Sequence, residues 1–135
     1  MNENKFIIAI VAVTLSLLVG VVLLAGKMSS SAKVEATSDA KAVVDSTTYD
    51  WGQIGINDGN AVAEFEIKNG GNEVLKLYDV TTSCACTTAQ TIVEDKASPL
   101  FDMHTNSTYV TEVPPGKTAQ LKVVFDPLFH GPNGL

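Results

Sequence analysis

Arginine is absent from this chain, and its nine basic residues, all lysine, face fifteen acidic ones for a net charge of −6. That balance excludes binding along a phosphate backbone, which requires a basic patch; nucleic acid is not an expected partner. Cysteine occurs only at positions 84 and 86, too few for the disulfide framework of a small secreted domain. No glycine-rich phosphate loop precedes a helical pattern, and neither histidine has a motif-level serine partner. The chain is therefore not read as an enzyme. The paired carboxylates Glu64/Glu66 and Glu94/Asp95 are explained by a solvated strand face and a loop. Charged residues make up only 18% of the sequence, because the N-terminus is strongly apolar. Once that segment is set aside, 135 residues leave room for one domain.

From Phe6 to Ala25 there is no charge, and only Thr14 and Ser16 are polar. As a helix, this run spans about 30 Å, the thickness of a bilayer's hydrocarbon core. A cleavable signal has a shorter apolar region. The length therefore favours a retained signal anchor over residues 1–26, with the membrane as partner through residues 6–25. The best alternative, a cleaved signal, would be cut near Ser30-Ser31-Ala32. No cysteine follows the run, which excludes a lipoprotein anchor. Lys5 on one side and Lys27 and Lys33 on the other orient the helix poorly. Its signal-like N-terminal position places the C-terminal part outside, as a single-pass cell-membrane protein with an extracytoplasmic domain. Residues 27–40, rich in Ser, Ala and Thr, read as a flexible spacer.

Over residues 41–135 the hydrophobic period becomes two. Asn60–Asn69 places Ala61, Ala63, Phe65 and Ile67 on one face and Val62, Glu64, Glu66 and Lys68 on the other, as in a half-buried strand. Asn69-Gly70-Gly71-Asn72 is a turn. Val74–Val80 reads as a second strand with Leu75 and Leu77 inward. After the turn Pro114-Pro115-Gly116-Lys117, the strand Ala119–Phe125 alternates Ala119, Leu121, Val123 and Phe125 against Gln120, Lys122 and Val124. Lys41–Ile54 offers a first strand and the aromatic pair Tyr49 and Trp51, suited to core or edge packing. The fold class expected is all-β, an antiparallel sandwich preceded by one transmembrane helix. Its core is expected to be Phe65, Leu75, Leu77, Leu121, Val123 and Phe125.

Several pieces occur in a telling order: Trp51-Gly52-Gln53-Ile54; Phe65-Glu66-Ile67-Lys68-Asn69-Gly70-Gly71; Leu75; Ser83-Cys84-Ala85-Cys86-Thr87; and Pro115-Gly116-Lys117. In this order they resemble a bacterial family of immunoglobulin-like domains of unknown function, related in architecture to HYDIN and major-sperm-protein-like modules. The resemblance runs from about Val43 to the end. Family members usually carry glycine where Ala85 stands and an acidic residue where Lys117 stands. They also continue past His130-Gly131-Pro132-Asn133-Gly134 into further strands. The resemblance thus implies an immunoglobulin-like sandwich incomplete at its C-terminus: the expected reading is a fragment, the alternative a sandwich completed by something else, since missing strands leave an open edge for pairing.

Apart from the anchor and spacer, sulfur is confined to Cys84, Cys86 and Met103, and imidazole to His104 and His130. Met103 and His104 lie in a long connection, Asp95–Ser107, and His130 follows the strand ending at Phe125. Thiolate, thioether and imidazole together suit copper(I) better than zinc. The expected metal set is Cys84, Cys86, Met103, His104 and His130, with His130 ranked after the Met103-His104 pair. On an extended strand, residues i and i+2 sit about 6.6 Å apart at Cα. That is near the upper limit for a disulfide, about 6.8 Å. The spacing therefore favours reduced thiols or a shared ion over a bridge, unless the backbone turns tightly there. Cys-x-x-Cys at a helix N-terminus, the usual redox arrangement, is absent. The competing reading is an envelope interaction or scaffold module with structural cysteines, which are small and readily buried. Continuing the register of Leu75 and Leu77 points both cysteines away from the core, and a bulge at Thr81-Thr82 reverses this. The anchor carries its own test. Full-length protein is expected to remain in the membrane fraction after carbonate or high-salt washing, and a soluble product beginning near Lys33 would remove the tether.

Overall fold

The computed structural model describes residues 3–25, 34–35 and 39–133. Most of the spacer, with the Ser30-Ser31-Ala32 cleavage candidate, lies outside them. The chain divides into two units, Met1–Ser30 and Ser31–Leu135. The first holds helix α1, Glu3–Ala25. Among the described residues no helix is long and apolar enough to cross a membrane. The described apolar side chains run from Ile7 to Val22, about 24 Å of helix against a hydrocarbon core of roughly 30 Å. The expected span over 6–25 is thus not supported by the described part of the helix.

The second unit is all β among the described residues. Strands β1 (Ala42–Val44), β2 (Ala61–Asn69), β7 (Thr118–Phe125), β4 (Thr87–Val93) and β5 (Lys96–Ala97) form one sheet in that order. Strands β3 (Leu75–Leu77) and β6 (Thr111–Val113) form a second. Every pairing is antiparallel, consistent with the expected sandwich.

The sheets share a core: Leu75 and Leu77 of β3 and Val113 of β6 pack with Ile67, Val93 and Ala119 of the larger sheet. Between them, the buried hydroxyls of Thr91 on β4 and Thr111 on β6 bond to each other. Each hydroxyl would lose its water on burial, and the mutual bond offsets that loss.

Asn69 ties the second unit together and is fully buried, with 0% exposure. Its side-chain amide donates to the Glu73 and Val113 carbonyls at 2.6 and 2.8 Å, and its Oδ1 accepts from Gly71 N–H at 2.9 Å. Its backbone exchanges bonds with Lys117 and Gly116 in the opposite turn. That turn is the one expected at Pro114–Lys117. Lys117 N–H donates to the Pro114 carbonyl, and Gly116 adopts φ +74°, the left-handed conformation a type II turn needs after proline. Lys117 also pairs with Glu94 at 2.6 Å. The hydrogen bond to Glu94 raises the lysine pKa above its ordinary value.

Four expectations change in detail. The strand expected over Val74–Val80 shortens to β3, because Asp79 turns to φ +52°. Strand β4 was not anticipated. The long connection Asp95–Ser107 is partly structured: Glu94 and Asp95, both at positive φ, make a tight hairpin into β5. Phe101 then bridges to Ala89. The core also shifts. Leu75 and Leu77 do face it, but they and Phe65, Leu121, Val123 and Phe125 are only half-buried. Phe101, Val113, Ala119 and Ala63 are the buried apolar residues at 2% exposure or less. Tyr49 and Trp51 cover the phenylalanines from outside, with ring centroids 6.3 Å (Tyr49–Phe65) and 6.0 Å (Trp51–Phe125) apart.

Phe101→Ala is accordingly expected to cost ~3–5 kcal/mol in denaturant unfolding, and Phe65→Ala less. Asn69→Ala should cost about 1–3 kcal/mol for each buried partner left unpaired. A Phe101→Ala cost below about 1 kcal/mol would mean that this side chain is not a core residue.

Candidate functional site

The cysteines do not continue a strand. Thr87 N–H donates to the Cys84 carbonyl at 3.1 Å, closing a β-turn over Cys84-Ala85-Cys86-Thr87 just before β4 begins. The turn brings the two Cα atoms to 5.2 Å, and Cys84 and Cys86 are joined as a disulfide. This corrects the expectation of reduced thiols, which assumed extended backbone. At 5.2 Å the pair lies well inside the range a disulfide spans. Thr82 braces the turn: its hydroxyl lies 3.0 Å from the Cys84 carbonyl and 2.9 Å from that of Thr87. Cys86 is buried and Cys84 half-buried.

Each sulfur has a donor. Cys86 N–H points at Cys84 Sγ from 3.1 Å. Thr87 Oγ1 lies 3.7 Å from Cys86 Sγ; a disulfide sulfur carries no proton, so the hydroxyl is the donor.

His130 arrives from the other side of the β4–β7 pairing. Thr87 sits opposite Phe125, and Asp126 N–H donates to the Cys86 carbonyl at 2.9 Å. The chain then folds back through two overlapping turns. Phe129 N–H bonds the Asp126 carbonyl, and Gly131 N–H bonds that of Leu128. The Asp126 carboxylate accepts from Leu128 N–H at 2.9 Å, and Gly131 takes φ +93°. The result sets a ligand atom of His130 and the two cysteine sulfurs all within 4.8 Å of one another.

His104 is not in that cluster; Met103 is 42% exposed, and the loop that carries both is shaped by Asp102. The Asp102 carboxylate accepts from the Thr105 hydroxyl and from His104 N–H, both at 2.8 Å. These bonds, the Thr105 hydroxyl first, hold its pKa below the ordinary carboxylate value. The loop touches the base of the cysteine turn, where the Thr81 hydroxyl donates to the Asp102 carbonyl at 2.9 Å. Of the two histidines, His130 is the one that stands beside the cysteines. His130 is the close one because Asp126-Pro127 turns the chain at once, an Asx-Pro signal present in the sequence.

Fold and site together define an antiparallel β module with a Cys-x-Cys turn and a histidine at one sheet end. A family model described as a protein of unknown function (DUF1573) matches residues 42–99. The match covers β1 to β5 and both cysteines. Met103, His104 and His130 lie beyond it, so the resemblance that extended to the chain end is found over its first part. No curated protein and no solved structure matches the chain significantly.

Proposed function

We propose that this chain is a membrane-tethered, extracytoplasmic immunoglobulin-like module that binds a soft metal ion, copper(I) by preference, through Cys84, Cys86 and His130. The observation carrying this reading is the convergence of these three side chains within 4.8 Å. With the disulfide reduced, two thiolates and an imidazole form a three-ligand set that favours a soft monovalent ion. The turn that brings the sulfurs together is held by backbone and threonine bonds, so it does not need the disulfide to persist. Tethering rests on the twenty-residue apolar run of the sequence. In the described part of α1, apolar side chains are exposed on all sides, including Ile7, Val13, Leu17 and Val19. A helix apolar all round needs an apolar surrounding. A disulfide also suits an oxidising compartment.

Competition of the reduced protein against a copper(I) chelator tests the metal reading. Wild type is expected to compete. Cys84→Ser and Cys86→Ser should lose binding, and His130→Ala should weaken it by about tenfold, or 1.4 kcal/mol. Met103→Leu and His104→Ala should stay close to wild type. Equal competition by wild type and the double serine variant would leave the cysteines structural and favour the envelope interaction module.

A further inference from the structure

We propose that the Cys84–Cys86 disulfide is exchange-active: in the folded protein it accepts two electrons from an external dithiol through a mixed disulfide at Cys84. This stands apart from metal binding, since no step involves an ion.

Three observations carry it. First, the bridge does little as a staple. It closes only Cys84-Ala85-Cys86, and a cross-link over so short a loop removes little chain entropy from the unfolded state. The segment it closes is already closed by the Thr87-to-Cys84 backbone bond and braced by Thr82. Reduction therefore leaves the turn, the β4–β7 pairing and the core in place.

Second, the two cysteines differ in access: Cys86 is 6% exposed, whereas Cys84 is half-buried. An incoming thiolate meets Cys84 first. Third, both sulfurs have donors suited to a developing negative charge. The leaving sulfur, Cys86, faces the Thr87 hydroxyl, and Cys84 faces the Cys86 amide. Hydrogen bonds to an anion strengthen as charge develops, so they favour the thiolates over the disulfide.

The electron count closes. One thiolate of the dithiol attacks Cys84 Sγ, a new S–S bond forms, the Cys84–Cys86 bond breaks, and the electron pair leaves on Cys86 Sγ. The dithiol's second thiolate then attacks its own partner sulfur in the mixed disulfide and releases Cys84 as thiolate. The dithiol ends oxidised to a disulfide. The module holds two thiolates, which take up protons from solvent. The reverse sequence passes the two electrons on. Access and leaving-group stabilisation are the factors that set such rates, and here they act at opposite ends of one bond.

The test uses the full chain in detergent, with dithiothreitol and glutathione as probes. Dithiothreitol is expected to reduce the disulfide without denaturant, with the β-type circular dichroism unchanged. Thr87→Val, which keeps the side chain's shape and removes the donor, should slow that reduction about tenfold. With oxidised glutathione, Cys86→Ser should form an adduct at Cys84 at least about tenfold faster than Cys84→Ser forms one at Cys86. Reduction only after unfolding would overturn the proposal. So would equal adduct rates in the two serine variants, or loss of β structure on reduction. The adduct comparison does not depend on how Thr87→Val folds.

Discussion

The antiparallel pairing of β4 with β7 is the constraint on which the candidate site depends. β7 lies in the middle of the larger sheet and hydrogen-bonds β2 on one side and β4 on the other. Its last residue, Phe125, stands opposite the first residue of β4, Thr87. The segment entering β4 and the segment leaving β7 must therefore meet at one sheet end. The first carries Cys84 and Cys86, the second His130. A two-residue shift of register would move the meeting point by about 6.6 Å along the strand and separate the sulfurs from the imidazole. Inward-facing Ala63 on β2, Ala89 on β4 and Ala119 on β7 help specify the register, because a one-residue slip of any of these strands would turn its alanine outward.

The two chemistries proposed for these few atoms exclude each other at any moment. A sulfur bonded to sulfur is a poor ligand, and a thiolate holding an ion is not free to exchange. Redox state thus decides whether the turn is closed or open to metal. Backbone bonds and Thr82 also hold the turn, which is why neither proposal requires the fold to change. The metal reading and the exchange reading are two states of one cluster, and an oxidising surrounding with intermittent supply of dithiol would move the module between them.

Much of the scaffold was legible from period and turn chemistry. The inward faces of β2 and β3 follow from alternation and the Pro-Gly turn from a glycine that suits φ > 0; in the Asn69–Asn72 turn no residue takes positive φ, and Gly71 is needed because the Asp39 carbonyl passes where a Cβ would stand. β4 was not legible because its inward positions include Thr91, a polar residue that is buried only because Thr111 meets it from the other sheet. Phe101 was hidden in what reads as a loop, its burial set by a bridge to Ala89 twelve residues earlier. The disulfide is illegible for a related reason: alternation reads as extended backbone past Asp79, whereas the chain turns at Cys84 and brings the Cα atoms to 5.2 Å. The approach of His130 to the cysteines depends on the immediate turn at Asp126-Pro127, which loop length alone does not reveal.

Two sulfurs and one imidazole converge within 4.8 Å, and X-ray absorption at the copper edge reads their joint ligation directly. Reduced full-length protein loaded with one equivalent of copper(I) is predicted to show two sulfur scatterers and one nitrogen scatterer, and His130→Ala should lose the nitrogen alone. Copper that is surrounded by nitrogen and oxygen only, or a wild-type spectrum that His130→Ala leaves unchanged, would contradict it.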